Sequence, residues 1–130
     1  MSSPVPALLV LRKVPESRQD LAAAMAGLPP AAGNEVWWEL VDASAPAGQI
    51  PAGVALTRRT DDDVTHIVTL AAVSTLDRDL LTHLVRELVA ALRRADTSAI
   101  SIRGGRADVD AALRAEDFLP AGDGRFVLHL

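Results

Sequence analysis

Apolar positions along the chain switch between two periods. From residue 79 to 95, Leu80, Leu81, Leu84, Val85, Leu88 and Leu92 recur at helical spacing, opposite His83, Arg86, Glu87, Arg93 and Arg94. This is an amphipathic helix with one face in a core. Upstream the period falls to two. Residues 35–41 put Val36, Trp38 and Leu40 on one face of a strand and Trp37, Glu39 and Val41 on the other. Residues 53–58 and 64–70 read as two more strands, joined through the aspartates at 61–63, and together the three form an antiparallel meander. The Ser-, Pro- and Gly-containing stretch 42–51 is the connecting loop.

The remaining elements flank this centre. The apolar run 7–12 is a first strand, closed by Val14 and Pro15. A helix follows it, with Leu21, Met25 and Leu28 inward and Gly27, Pro29 and Pro30 as its stop. After the long helix come a strand at 99–103, a helix at 107–116 with Val109 and Leu113 inward, and a last strand at 125–130 behind Gly122-Asp123-Gly124.

Length and charge narrow the function classes. The 130 residues suit a single domain spanning 1–130. Thirteen basic against 17 acidic residues give a net charge of −4, which disfavours nucleic-acid binding. Cysteine is absent, so disulfides, thiolate metal sites and cysteine nucleophiles are excluded, and tyrosine is absent too. Three scattered histidines offer no metal-ligand spacing, so no metal is expected. No apolar run approaches the ~20 residues of a membrane helix, and the start has no charged region before an apolar one. Cytoplasmic residence without membrane partners is the expectation. Arginine in place of lysine and abundant alanine suggest a GC-rich bacterial gene.

The element order, with Gly53-Val-Ala-Leu, His66-Ile-Val-Thr-Leu-Ala-Ala-Val73, Leu84-Val-Arg-Glu-Leu-Val-Ala-Ala-Leu-Arg93 and Leu113-Arg-Ala-Glu-Asp-Phe-Leu-Pro120, resembles the GCN5-related N-acetyltransferase (GNAT) family over roughly residues 7–130. The resemblance implies an α/β (α+β) fold with a mixed, mostly antiparallel sheet of six or seven strands flanked by three or four helices. It also implies acetyl-CoA as cofactor. In that family the turn after the fourth strand carries Arg/Gln-x-x-Gly-x-Gly/Ala, whose backbone N–H groups at a helix N-terminus hold the CoA pyrophosphate. The matching segment here is Leu70, Ala71, Ala72 and Val73 of the strand, then Arg78, Asp79, Leu80 and Leu81 of the helix. The family's first position falls on Leu76 and its glycines on Asp79 and Leu81, and no glycine lies between Val73 and Arg103. Asp77 and Asp79 satisfy the donors that would hold phosphate, and they repel it. The family's tyrosine, five residues before a Gly-Phe, falls on Leu113, with Asp117 and Phe118 at the Gly-Phe.

Among residues able to carry chemistry, the resemblance places His66, or Glu39, where an amine proton is taken up. Alternation groups His66 with Val64, Val68 and Leu70, as a partly buried, hydrogen-bonded core histidine would be. Trp37 shares a face with Glu39, to line an acceptor pocket or simply to meet solvent. His83 and Glu87 have the spacing of a surface pair, and His129 of an exposed residue. Arg103-Gly-Gly-Arg106 has anion-binding residue types but reads as a strand-to-helix turn that needs permissive backbone. Two functions follow: an acyl-CoA-dependent N-acyltransferase, or a descendant with weakened or lost CoA binding. The alternative is a repurposed scaffold, either a non-acetylating biosynthetic enzyme or a non-catalytic ligand-binding or accessory partner. The partner is a small molecule or a protein, with homodimerisation through strand or helix contacts a further reading.

Overall fold

A computed structural model describes residues 9–29, 33–43, 50–60, 63–72 and 78–130. The portions of expected elements at 7–8, 30–32, 44–49, 61–62 and 73–77 lie outside the described residues. The elements are β1 Leu9–Lys13, a 3-10 turn Glu16–Arg18, α1 Gln19–Ala26, β2 Glu35–Asp42, β3 Gly53–Arg59, β4 Val64–Ala72 and α2 Arg78–Arg94. Then follow β5 Ala99–Arg103, α3 Ala107–Ala115, β6 Leu119–Pro120 and β7 Arg125–His129.

The strands form one seven-stranded sheet in the order β1-β2-β3-β4-β5-β7-β6. Every neighbouring pair is antiparallel except β4 with β5. That pair is parallel because α2 carries the chain back across the sheet between them. The expected first helix divides into a 3-10 turn and α1, which Gly27 ends at φ +68°, a left-handed conformation glycine adopts freely. The short β6, which pairs with β7, carries no period the sequence could reveal.

Two cores sit on opposite faces of the sheet. On one, Leu81, Leu84, Val85, Leu88, Val89 and Leu92 of α2 and Val109 and Leu113 of α3 pack over Leu40, Ala55, Ile67, Ile100 and Phe126. Each such burial stabilises by ~1.5–3 kcal/mol. The surface contact of His83 with Glu87, at 3.8 Å, adds at most ~0.5 kcal/mol. The apolar stripe therefore decides how α2 docks. On the second face, α1 covers β2, β3 and the Ala71 end of β4, with Val14, Ala22 and Ala23 against Trp37, Val54 and Leu56. A solvent-facing Trp37 and Glu39 are thus not what the fold provides, since each is 1% exposed beneath this layer.

Burying Glu39 demands a partner for its charge, and it has two. Arg12 Nε donates to Oε2 at 2.8 Å, while Arg18 donates to Oε1 from Nε at 3.1 Å and from its terminal nitrogen at 2.9 Å. Arg18 is itself largely enclosed, with a side chain 14% exposed. The pair ties the 3-10 turn and β1 to β2 across the second core. Arg18→Ala, which leaves Glu39 one half-exposed partner, is expected to lower the unfolding free energy by about 3 kcal/mol in urea titrations. Arg86→Ala, which breaks the exposed pair with Glu116 at 3.2 Å, is expected to leave the urea midpoint almost unmoved.

Candidate functional site

Strand β4 contains one residue more than its neighbour can pair. Leu56 faces Thr69 and Thr57 faces Ile67, so Val68 is a β-bulge. A bulge inverts the alternation beyond it and adds twist. Ile67 and Leu70 consequently both reach the α2 core, and His66 turns to the opposite face. This corrects the grouping of His66 with Leu70, because simple alternation fails wherever a residue is inserted.

The bulge also marks where β4 leaves β5. The parallel register runs from Val64 and Ala99 to Ile67 and Ile102 and stops there, although β4 continues to Ala72. Residues 69–72 keep β3 on one side and, among the described residues, have no strand on the other. A cleft of about 290 Å³ opens in the gap, lined by Val68, Thr69 and Leu70 on one wall and by Ile102, residues 103–106 and Val109 on the other. Backbone groups of a strand edge that β5 does not pair face into it.

The far wall is the Arg103-Gly-Gly-Arg106 turn, and its glycines are structurally required. A Cβ on Gly104 would lie 2.7 Å from the Phe126 ring and 2.9 Å from Asp110 Oδ1, and Gly105 has φ +138°. Asp110 Oδ1 accepts the Gly105 N–H at 3.1 Å and so fastens the turn to α3. Arg106 donates to Asp108 at 2.7 Å, which holds the Asp108 carboxyl below its ordinary range. Its other terminal nitrogen reaches across the cleft toward the Leu70 carbonyl at 3.5 Å, a long contact.

His66 stands one rung from the closed end of the cleft. Its Nδ1 is 3.0 Å from Ser101 Oγ, the residue across from it in β5. When Nδ1 carries the proton it donates to Oγ, and Nε2 is left as the free acceptor. Burial, then the charges of Arg58, Arg125 and Arg103, push the imidazole pKa below its usual value. The ring is therefore neutral at pH 7 and competent to accept a proton.

Other expected site residues lie apart from this group. Trp37 sits in the second core, its Nε1 has no hydrogen-bond partner among the described residues, and it lines none of the cavities described. The Glu39 carboxylate is held by its two arginines. At the start of α2, Asp79 is exposed, Leu80 is half-buried and Leu81 is in the core, with Arg78 as the first helical residue. Leu70 is buried and Ala71 and Ala72 half-buried, while Val73 and Asp77 lie outside the described residues. Leu113 is wholly buried, and Asp117 takes φ +69°, the left-handed position a glycine would fill. Among the described residues no His, Asp or Glu cluster is arranged to hold a metal, and no helix is long and apolar enough to cross a membrane. Ser101, Arg58 and Arg125 had no signal of their own in the sequence, since only the pairing of β3, β4, β5 and β7 brings them to His66.

The direction of the His66 shift fixes a pH dependence. Its folded pKa lies below the unfolded value near 6.5, so the unfolded chain binds more protons as pH falls through that value. The contribution of neutral His66 to stability is present above about pH 6.5 and is lost progressively down through the folded pKa. His66→Gln is expected to flatten this part of the stability profile, measured by urea unfolding between about pH 7.5 and 5.

No family model and no curated protein sequence matches the chain. Solved structures do. An IAA acetyltransferase from Bacillus cereus superposes with a TM-score of 0.65 at 13% identity, covering 94% of this chain and 99% of that one. An aminoglycoside acetyltransferase in complex with ribostamycin and coenzyme A gives 0.65 at 18% identity, covering 93% of each chain. An acetyltransferase of the GNAT family from Staphylococcus aureus gives 0.61 at 9% identity, covering 94% of this chain and 99% of that one. With its mixed seven-stranded sheet and the parting of β4 from β5, the chain has the fold of the GCN5-related N-acetyltransferases.

Proposed function

We propose that the protein is an acyl-CoA-dependent N-acyltransferase whose grip on the CoA pyrophosphate is weakened. The observation that carries this reading is the unpaired edge of β4 at residues 68–72 beside an open cleft. Peptide groups of such an edge suit the amide-bearing arm of an acyl-pantetheine, which can add to the strand as another strand would. An acyl-CoA thioester supplies an acyl group activated toward amines. The chain's contribution is to line the arm with Val68, Thr69 and Leu70, and to offer neutral His66, directly or through water, for the proton that the amine gives up. Glu39, with both carboxylate oxygens engaged by guanidinium groups, serves the fold in this account.

Weakened pyrophosphate binding follows from the start of α2. Asp79 lies in its first turn, where the helix dipole favours negative charge and a phosphate would meet repulsion. Leu81, aligned with a family glycine, is part of the core and keeps its side chain there. Loss of acyl-CoA use altogether, with the scaffold serving another ligand, is the reading that a failed titration would support.

Calorimetry with two ligands separates these readings. Acetyl-CoA is expected to bind no more than about tenfold tighter than acetyl-pantetheine, which lacks the nucleotide and pyrophosphate; this is a difference of ~1.4 kcal/mol. Asp79→Asn is expected to strengthen acetyl-CoA binding several-fold and to leave acetyl-pantetheine unchanged. Absence of heat with either ligand at millimolar concentration contradicts acyl-CoA use. With transfer established, His66→Gln is expected to lower kcat at least about 10²-fold while the dissociation constant for acetyl-CoA stays the same.

A further inference from the structure

The sheet face opposite α2 carries cations that the fold does not use. Arg58 in β3 lies directly across from His66, and Arg103 in β5 lies directly across from Arg125 in β7. Ser101 and Arg103 alternate with the core residues Ile100 and Ile102, and Arg125 precedes the core residue Phe126, so all of them share the face of His66. Arg58, Arg103 and Arg125 are exposed, and none makes an ion pair or hydrogen bond through its side chain to another described residue. The nearest carboxylate in register is Glu35 of β2, across from Arg58; in register Arg103 and Arg125 face each other, and Arg125 also lines a cavity with Asp110, whose Oδ1 accepts from the Gly105 N–H.

Like charges directly opposite in an antiparallel pair, with Cβ atoms ~4.5–5.5 Å apart, destabilise it. Arginine pairs kept at such positions are matched to the planar, bidentate geometry of carboxylate and phosphate. Arg103 also lines the cleft, so the cationic face and the cleft are continuous. From this arrangement we infer that Arg103 and Arg125, with Arg58 on the far side of His66, form a binding site for an anionic group of the acceptor substrate, a carboxylate or a phosphate carried by the same molecule as the amine. The assignment to the acceptor rests on the acyltransferase reading. The anion site itself does not.

An anion held there neutralises the arginine field acting on His66. The imidazole pKa then rises back toward its ordinary value, which couples acceptor binding to the basicity of the group beside it. Arg59, although adjacent in sequence to Arg58, is excluded from the site because it points to the α2 side, donating to Ala95 O at 3.0 Å and to Asp63 at 3.1 Å.

Two measurements test this separately from acyl-CoA binding. In the first, the His66 ring resonances are followed by NMR during titration with acetate and with inorganic phosphate at constant ionic strength. A saturable shift with a raised His66 pKa is expected, lost in Arg125→Ala, and the tighter of the two anions identifies the group recognised. No saturable shift with either anion, or the same shift in Arg125→Ala, overturns the site. In the second, transfer to amines bearing a carboxylate or phosphate is compared with transfer to their neutral amide or dephosphorylated counterparts. The anionic partner is expected to have at least a tenfold higher kcat/KM, and Arg125→Ala should bring the ratio near one without changing acetyl-CoA binding. Equal rates for both counterparts overturn the acceptor assignment. If acetyl-CoA fails to bind, the acyltransferase reading fails and the His66 titration still decides the anion site. Arg125→Ala removes a like-charge contact from an exposed position, so its thermal midpoint should match or exceed the parent's.

Discussion

The single inserted residue Val68 governs the arrangement of everything that could act as a site. It lets Ile67 and Leu70 both contribute to the core beneath α2, and it turns β4 from its parallel partner after four paired positions. A strand that remained paired with β5 to its end would satisfy its own backbone and leave no cleft. On its other side β4 stays paired with β3 through Ala72, which supports the freed edge. The opening is bounded by an arginine- and glycine-containing turn that Asp110 ties to α3.

The two faces of the sheet divide the work. The α2 face holds a continuous apolar core that includes Leu81, so the start of α2 is committed to packing as well as to any ligand. The α1 face is covered over β2, β3 and the Ala71 end of β4, and there Glu39 and its two arginines join β1, the 3-10 turn and β2. Beyond that cover the same face carries Arg58, His66, Ser101, Arg103 and Arg125. Charge is neutralised where it serves the fold and left unmatched beside the cleft. That contrast within one face is what separates structural from ligand-directed charge in this molecule.

Much of the fold was legible in the sequence because local period encodes burial. The stripe from Leu80 to Leu92 located α2, and the alternating residues from Glu35 to Leu70 located the meander. The Arg103-Gly-Gly-Arg106 turn was read correctly as a strand-to-helix connection, and at Gly104 a Cβ would force the Phe126 ring or Asp110 to shift. The site was less legible. A bulge leaves no mark in composition, so alternation carried past Val68 grouped His66 with Leu70, which lies on the other face, while the reading of His66 as partly buried and hydrogen-bonded holds. Ser101, Arg103 and Arg125 come from strands 35 or more residues away, and Arg58 from the adjoining strand β3, and the register that brings them together is a tertiary property. The burial of Glu39 likewise depends on where α1 packs and on Arg12 and Arg18, which nothing near Glu39 in the sequence announces.

The central claim is that residues 68–72 of β4 are an open strand edge that receives a ligand arm. Amide hydrogen exchange with and without saturating acetyl-CoA tests it most directly. The account predicts that the cleft-facing amides among residues 68–72 become protected on addition of the ligand, while those within the β5 and β7 pairing change little. Protection that appears elsewhere and leaves residues 68–72 unchanged would contradict it.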